Sequence, residues 1–311
     1  MNGKVLITGG LGNLGSWISL HLAKQGFDVY ILTRKEKHKL KDIDYKIIEC
    51  DITDIEALRE KLDFDIDYCI HAASLNEFFL PDYPKKALEV NSLGTRNLLE
   101  VLNKKCLKNF LYFSTFHVYG ASKGVVTEES ELNPKTDYAM THLFAEYYVK
   151  QFGVNEGLNY TILRLTNSYG APVYLDSDKW YLVLNDLTKS AFENGKIVLK
   201  SNGKVKRDFI YMGDVANVSS NLLKIDATNA IYNLSSNYSF DIEYLANIVK
   251  TVYEKIYSRK IKIYINEDDK NVYDNIEVKN DKLQSLLKYD LNDMMFSEVE
   301  STFTLLEKTN E

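Results

Sequence analysis

The stretch VLITGGLGNLGSW, residues 5–17, is an apolar run that breaks into glycines at positions 9, 12 and 15 and then enters an amphipathic segment. A strand, a tight turn and a helix are expected in that order. Each glycine has a physical reason: the first permits the turn, the second lets the backbone approach a pyrophosphate, and the third lets the helix pack closely on the strand. The helix N-terminus then faces the anion. A plain glycine-rich turn would use the same letters. The placement directly between a strand and an amphipathic helix instead predicts a dinucleotide site, with Gly9, Gly12, Asn13, Leu14 and Gly15 as its first contacts.

Outward from that loop, short apolar runs alternate with amphipathic segments. KVLITG, FDVYIL, YKIIEC, DYCIHAA, NFLYFS and YTILRL read as strands; 13–25, about 54–62, 84–105 and the segment containing Tyr138 read as helices. This alternation predicts an α/β fold of the Rossmann type, a doubly wound parallel sheet. After residue 166 the pattern becomes irregular, which predicts a smaller mixed α/β lobe interleaved with the sheet. The expected division is 1–165 plus about 206–235 for the dinucleotide-binding domain, and about 166–205 plus 236–311 for the lobe.

Composition sets further bounds. The chain has 311 residues, 45% hydrophobic and 26% charged, as expected of a folded protein with a substantial core. A net charge of -6 argues against a nucleic-acid partner, which needs a basic stripe. The basic run TRKEKHKLK at 33–41 is local and reads as a solvated loop, with phosphate recognition as its functional alternative. Cys50, Cys69 and Cys106 are odd in number and lack metal-ligand spacing, so no metal site is expected and the thiols are read as buried in a reducing compartment. No signal-peptide pattern and no run of about twenty apolar residues occurs, so the expectation is a cytoplasmic protein without a membrane partner.

The TGGxGxxG form of the loop resembles the short-chain dehydrogenase/reductase superfamily in its extended branch, the NAD-dependent epimerase/dehydratase family that modifies sugar nucleotides. Further matches follow in order: CDITD at 50–54, HAAS at 71–74, VNSLGTRNLLE at 90–100, FSTFHVYG at 113–120, PKTDYAMTH at 134–142, LRLTNSYGAP at 163–172 and RDFIYMGDVA at 207–216. The resemblance implies that Asp51 and Ile52 lie at the adenine, that Ala72, Ala73, Ser74 and Leu165 lie along the cofactor, and that Asn91 is a structural and relay residue there. It also implies a nucleoside-diphosphate sugar as partner and NAD as cofactor. Thr33 and Arg34 stand where an NAD-specific relative has an acidic residue, which keeps NADP open as the alternative, although Arg34 can instead cover the adenine face.

The same resemblance places Tyr138 as the proton donor or acceptor and Thr115 as the hydroxyl that shares its hydrogen bond. A lysine is expected four residues after the tyrosine, on the same helix face, and this chain has His142. A neutral imidazole can hydrogen-bond a ribose hydroxyl but brings no full charge to the phenol. Tyr138 should therefore remain protonated, a ready acid for ketone reduction and a poor base for alcohol oxidation. His117 is a candidate for a second base, or a histidine simply packed at a strand end. Phe116 and His117 occupy the place where 4,6-dehydratases resembling this chain carry an Asp-Glu pair, which disfavours dehydration.

On the substrate side, Arg207 matches the arginine directed at a diphosphate, and Asn167 an asparagine bonded to the sugar nucleotide. YLDSDKWYLVLNDL at 174–187 opens the lobe, where Trp180 or a tyrosine either stacks on the nucleobase or belongs to the core. The implied reaction is hydride transfer at C4 of a nucleotide sugar, by a 4-dehydrogenase or 4-keto reductase, in surface polysaccharide synthesis. A C4 epimerase is the alternative, and a non-catalytic cofactor-dependent binding protein the alternative of another class. The helices at 84–105 and after Tyr138 match a pair that builds a four-helix dimer interface, so a homodimer or higher homo-oligomer is expected.

Overall fold

The computed structural model describes residues 2–76, 80–105, 107–177 and 179–308; Cys106 lies outside the described residues. Its centre is a seven-stranded sheet in the order Ala230–Leu234, Tyr160–Leu165, Asn109–Thr115, Tyr68–His71, Lys4–Thr8, Asp28–Thr33, Lys46–Glu49. Every pairing is parallel. The chain begins in Lys4–Thr8, winds to one side through Lys46–Glu49, then returns to build the other side from Tyr68–His71 outward. That reversal opens a crevice at the C-terminal ends of Lys4–Thr8 and Tyr68–His71, the usual ligand position of a doubly wound sheet.

Period-two alternation assigns side chains to the two faces of this sheet. Ile7 and Leu111 pack in the core cluster on one face with Ile18 and Val215, while the neighbouring Leu6 and Phe110 pack on the other with Leu98 and Ala145. Both faces are covered, as parallel strands require. Cys50 and Cys69 are free and buried, and burial raises both thiol pKa values. The segment expected as one helix at 84–105 is helical from Tyr83 to Lys105 but changes pitch, with a π-helical turn at Leu88–Gly94 between α segments.

A second sheet has three strands in the order Ser239–Asp241, Lys206–Tyr211, Asn167–Tyr169, so the strand at 206–211, expected with the dinucleotide-binding domain, pairs with segments expected in the smaller lobe. Helices Val183–Asn194, Ile242–Tyr257 and Met295–Glu307 enclose its core of Leu187, Phe209, Leu245, Val249 and Phe303. The chain crosses back to the large sheet at Met212: helix Met212–Leu222 buries Val215, Ala216 and Val218 in the main core. Among the described residues, no helix is long and apolar enough to cross a membrane, and no group of His, Cys, Asp and Glu could hold a metal ion.

Candidate active site

Between the two lobes lies a cleft of about 1690 Å³, running from the glycine loop to Arg207. At one end, Gly9 adopts a left-handed φ of 68° and accepts a hydrogen bond from the Gly12 amide at 2.8 Å. A Cβ on Gly15 would stand 2.0 Å from the Gly9 carbonyl oxygen, and one on Gly9 would stand 2.9 Å from Ala73 Cα. Side chains are therefore excluded where loop, helix and the strand end at Ala73 converge. Helix Asn13–Lys24 has no side-chain cap and no acidic residue in its first turn. Its first amides, with the positive end of the helix dipole, stay open towards the cleft.

Along the same wall Leu14, Thr33, Arg34, Asp51, Ile52, Ala72, Ala73, Ser74 and Leu165 all border the cleft. Thr33 Oγ1 donates to the Lys35 carbonyl at 3.1 Å. The Asp51 carboxylate accepts from Thr53 N and Oγ1 at 2.9 and 2.8 Å, which shapes the turn below the cleft. Arg34 is exposed at the rim. The basic run forms a loop, and its His38 stacks on Tyr174 with centroids 4.4 Å apart, tying it to the lobe.

The reacting end is built by the strand Asn109–Thr115 and the helix Asp137–Glu156. Thr136 caps that helix by accepting from the Ala139 amide at 3.2 Å, so Tyr138 emerges from its first turn and His142 lies one turn below. The Thr115 side chain is hydrogen-bonded to the Tyr138 phenol, which lowers the phenol pKa, but burial prevails and pushes it up to about 12. Thr115 Oγ1 also accepts from the His117 amide at 3.3 Å, opening the turn Phe116–Tyr119. The Tyr138 and His142 rings meet edge to face at 4.6 Å. His142 is buried, and desolvation with a smaller effect of His117 brings its pKa down to about 3. Its Nδ1 is hydrogen-bonded to the Tyr112 hydroxyl at 2.8 Å, whereas its Nε2 has no partner among the described residues. The imidazole is neutral at physiological pH.

Beneath this group, Glu146 lies two turns along the helix from Tyr138 and is fully buried. It accepts from Arg164 Nε and Nη2 at 3.0 and 2.8 Å and from Ser114 Oγ at 2.5 Å. This fork pins the helix to two neighbouring strands directly under Thr115 and Tyr138.

At the far end, Arg207 is exposed on strand Lys206–Tyr211 and forms no ion pair among the described residues. Asn167 Nδ2 donates to the Asp208 carbonyl at 2.9 Å. His117 borders the cleft between these residues and Tyr138, its ring 6.1 Å from the Tyr138 ring. His117 is exposed towards the open cleft, and partial desolvation together with the Arg207 charge, which repels its proton, holds its pKa down to about 4. It is an available base, not a cation.

Three residues singled out in the sequence sit elsewhere. Asn91 is spent behind the cleft wall, accepting from the Leu75 amide at 2.6 Å and donating to Leu75 O and Thr141 Oγ1 at 3.0 and 3.1 Å. Phe116 packs against the apolar cluster of Val118, Tyr119 and Val126. Trp180 turns its indole N–H back to the Leu175 carbonyl at 2.9 Å, and Tyr181 from the same segment borders the cleft instead. Tyr112, Asn76 and Lys179 are contributors that the sequence did not single out, and Tyr181 was covered only as an unspecified tyrosine of 174–187. Tyr112 had a faint signal in its strand position two residues before Ser114; the other three are assembled by contacts between lobes.

The buried, unpartnered Nε2, the open helix terminus and the glycine cradle together fit a dinucleotide laid along the cleft floor. Comparison with known proteins agrees. The chain is 30% identical over 252 residues to a putative UDP-glucose 4-epimerase of Methanocaldococcus jannaschii, covering 79% of this chain and 81% of that one. It is 27% identical to human dTDP-D-glucose 4,6-dehydratase, over 78% of this chain and 72% of the other. Its fold superposes with a TM-score of 0.78 on the Thermus thermophilus UDP-glucose 4-epimerase solved with NAD, at 22% identity and over 96% and 99% of the two chains. Residues 5–235 match the description of one family throughout, and the chain belongs to the NAD-dependent epimerase/dehydratase family.

Proposed function

We propose that the protein moves a hydride to or from C4 of the sugar in a nucleoside diphosphate sugar. NAD, when bound, supplies the hydride acceptor or donor. The glycine loop and the open helix terminus would hold its pyrophosphate, and His142 Nε2 would bond a hydroxyl of the nicotinamide ribose. Tyr138 gives its proton to the sugar oxygen as the carbon is reduced, or takes it in reverse, while Thr115 fixes the phenol. Arg207 binds the diphosphate, for which its uncommitted guanidinium is suited, and Asn167 holds the sugar nucleotide beside it.

The observation that carries this reading is the Thr115-bound phenol of Tyr138, which lines one cleft together with the glycine loop and Arg207. A phenol pushed up to about 12 is protonated at neutral pH, so the reductive direction is the easier one. Epimerisation at C4 is the second reading, supported by the name of the 30% identical relative. Dehydration is disfavoured because Phe116 is turned into an apolar cluster and offers no acid.

Incubation of NAD-loaded protein with a panel of uridine and thymidine diphosphate sugars separates these outcomes. Net change in nicotinamide absorbance marks a dehydrogenase or reductase, inversion at C4 without net absorbance marks an epimerase, and loss of water from the product overturns the proposal. No turnover in either direction would leave the binding protein as the better reading.

We infer also that a second copy of the chain docks on the helices flanking Tyr138. Met140, Phe144 and Tyr147 form one exposed apolar row beside the exposed Leu88 and Leu93, a large patch for a solvent-facing surface.

A further inference from the structure

Two imidazoles are buried beside the Tyr112 ring, and they differ in how many of their nitrogens are spent. His71 and Tyr112 are paired residues of neighbouring strands, so their side chains share the face covered by the helix Asp137–Glu156. The Tyr112 ring stacks with both His71 and His142, at centroid distances of 5.5 and 6.0 Å. Desolvation keeps both imidazoles neutral near pH 7, so each has one nitrogen that donates and one that accepts. At His71 both are spent, Nδ1 on Thr8 Oγ1 at 2.6 Å and Nε2 on Thr95 Oγ1 at 2.8 Å. At His142 only Nδ1 is spent, on the Tyr112 hydroxyl at 2.8 Å; Nε2 is buried and has no partner among the described residues.

Hydrogen-bond accounting fixes which nitrogen carries the proton. His142 Nδ1 is the one partner of the Tyr112 hydroxyl among the described residues. Were Nδ1 the donor, the buried phenolic hydrogen would have no acceptor and the Nε2 lone pair no donor. With the phenol donating to Nδ1, a single group is left over, the Nε2–H. His71 has the same tautomer for the same reason: the Thr95 hydroxyl hydrogen goes to the Asn91 carbonyl at 2.6 Å, so its oxygen accepts from Nε2–H and Thr8 donates to Nδ1. A buried N–H without an acceptor is costly, and a ligand oxygen in the cleft that His142 lines would remove that cost.

We propose that Tyr112 is a positioning residue: its hydroxyl, donating to Nδ1, holds His142 as the Nε2–H tautomer and so makes the imidazole a donor that selects a hydroxyl oxygen of the nicotinamide ribose. The proposal rests on His142 meeting that ribose, as in the proposed function. Tyr112 is not among the residues that line the cleft, so it acts through His142 alone. Without the phenol the imidazole would divide its proton between the two nitrogens and offer the ribose a lone pair as often as a hydrogen.

Nitrogen-15 labelling of the histidines reports the tautomer directly, because protonated and unprotonated ring nitrogens resonate far apart; His142→Leu assigns the signals. At pH 8, with and without NAD, His142 should carry its proton on Nε2 and show an unprotonated, hydrogen-bonded Nδ1. In Tyr112→Phe, which keeps the ring, the two His142 resonances should move towards each other as the tautomers mix, the His71 resonances should stay in place, and Kd for NAD should rise about five- to tenfold. On the His142→Leu background Tyr112→Phe should change Kd less than about twofold, as a residue acting through His142 requires. A proton on Nδ1 in the wild type overturns the proposal without recourse to any variant. An unmoved tautomer in Tyr112→Phe also overturns it, as does an equal loss of affinity on both backgrounds, which makes Tyr112 a packing residue. If NAD does not bind at all, the functional reading fails by itself, and the tautomer in the free protein still decides whether Tyr112 sets the position of the proton.

Discussion

His142 Nδ1 stands 2.8 Å from the Tyr112 hydroxyl, which leaves the opposite nitrogen buried and without a partner among the described residues, in a ring that lines the same cleft as Tyr138. The ring is thereby a hydrogen-bonding group, not a charge. Its neighbour Tyr138 is left with a phenol that burial pushes up to about 12.

Replacing this imidazole by an ammonium should ease deprotonation of Tyr138. His142→Lys is expected to move the pH profile of sugar oxidation towards acid by about one unit or more. Tyr138→Phe, the control, should retain NAD and lose turnover by about 10²–10⁴-fold. Steady-state rates across pH check both, and an unmoved His142→Lys profile would count against Tyr138 as the working acid.

Two glycine substitutions should separate folding from cofactor binding. A Cβ at Gly15 would stand 2.0 Å from the Gly9 carbonyl, so Gly15→Ala should lower the melting temperature even without NAD. At Gly12 the nearest atom would be 3.1 Å away, so Gly12→Ala should melt nearly as wild type while losing NAD-induced stabilisation. For the wild type that stabilisation is about 2.7 kcal/mol at a hundredfold excess of NAD over Kd, readable by thermal melts.

The buried fork between Glu146 and Arg164 should matter more to stability than any exposed ion pair. Arg164→Ala leaves a carboxylate buried without its partner, and a loss of about 3–5 kcal/mol is expected by urea unfolding. Replacing both by apolar residues of similar volume should recover part of that loss.

Acid should destabilise the protein through two buried histidines. Desolvation holds His71 and His142 down to about 3 in the folded chain, against 6.5 when unfolded. The unfolded state thus binds more protons between these values, so stability is present above about 6.5 and falls as pH drops towards 3. Each histidine contributes a slope of about 1.4 kcal/mol per pH unit within that window. Chemical unfolding at several pH values should show His142→Gln losing one histidine's share of the slope relative to wild type.

Dimerisation is tested on the exposed row beside the active helix. Sedimentation should show a dimer for the wild type and a monomer for Phe144→Glu, because a charge at the centre of an apolar contact has no partner there. A monomeric wild type would remove this part of the reading.

Much of the fold was legible because its signals are local. The strand Tyr160–Leu165 coincides with the apolar run read at 160–165, and the glycine spacing marked the helix start at Asn13. The π turn at Leu88–Gly94 was not legible, because an apolar stripe does not report a change of pitch. Asn91 and Phe116 illustrate a second limit. Their places in the chain were right for a cleft, but the backbone around them points Asn91 at Leu75 and Thr141, and Phe116 at Val118 and its neighbours.

By itself, the order of residues determined the alternating architecture, the glycine loop and the four-residue interval between Tyr138 and His142, since each depends on neighbours within a turn or a strand. Only the tertiary structure decided that His142 is buried and neutral, that it lines the cleft, and that Lys179 reaches Asn76 across 103 residues of chain. Charge state depends on desolvation, and desolvation on packing between segments distant in sequence, so no local pattern encodes it.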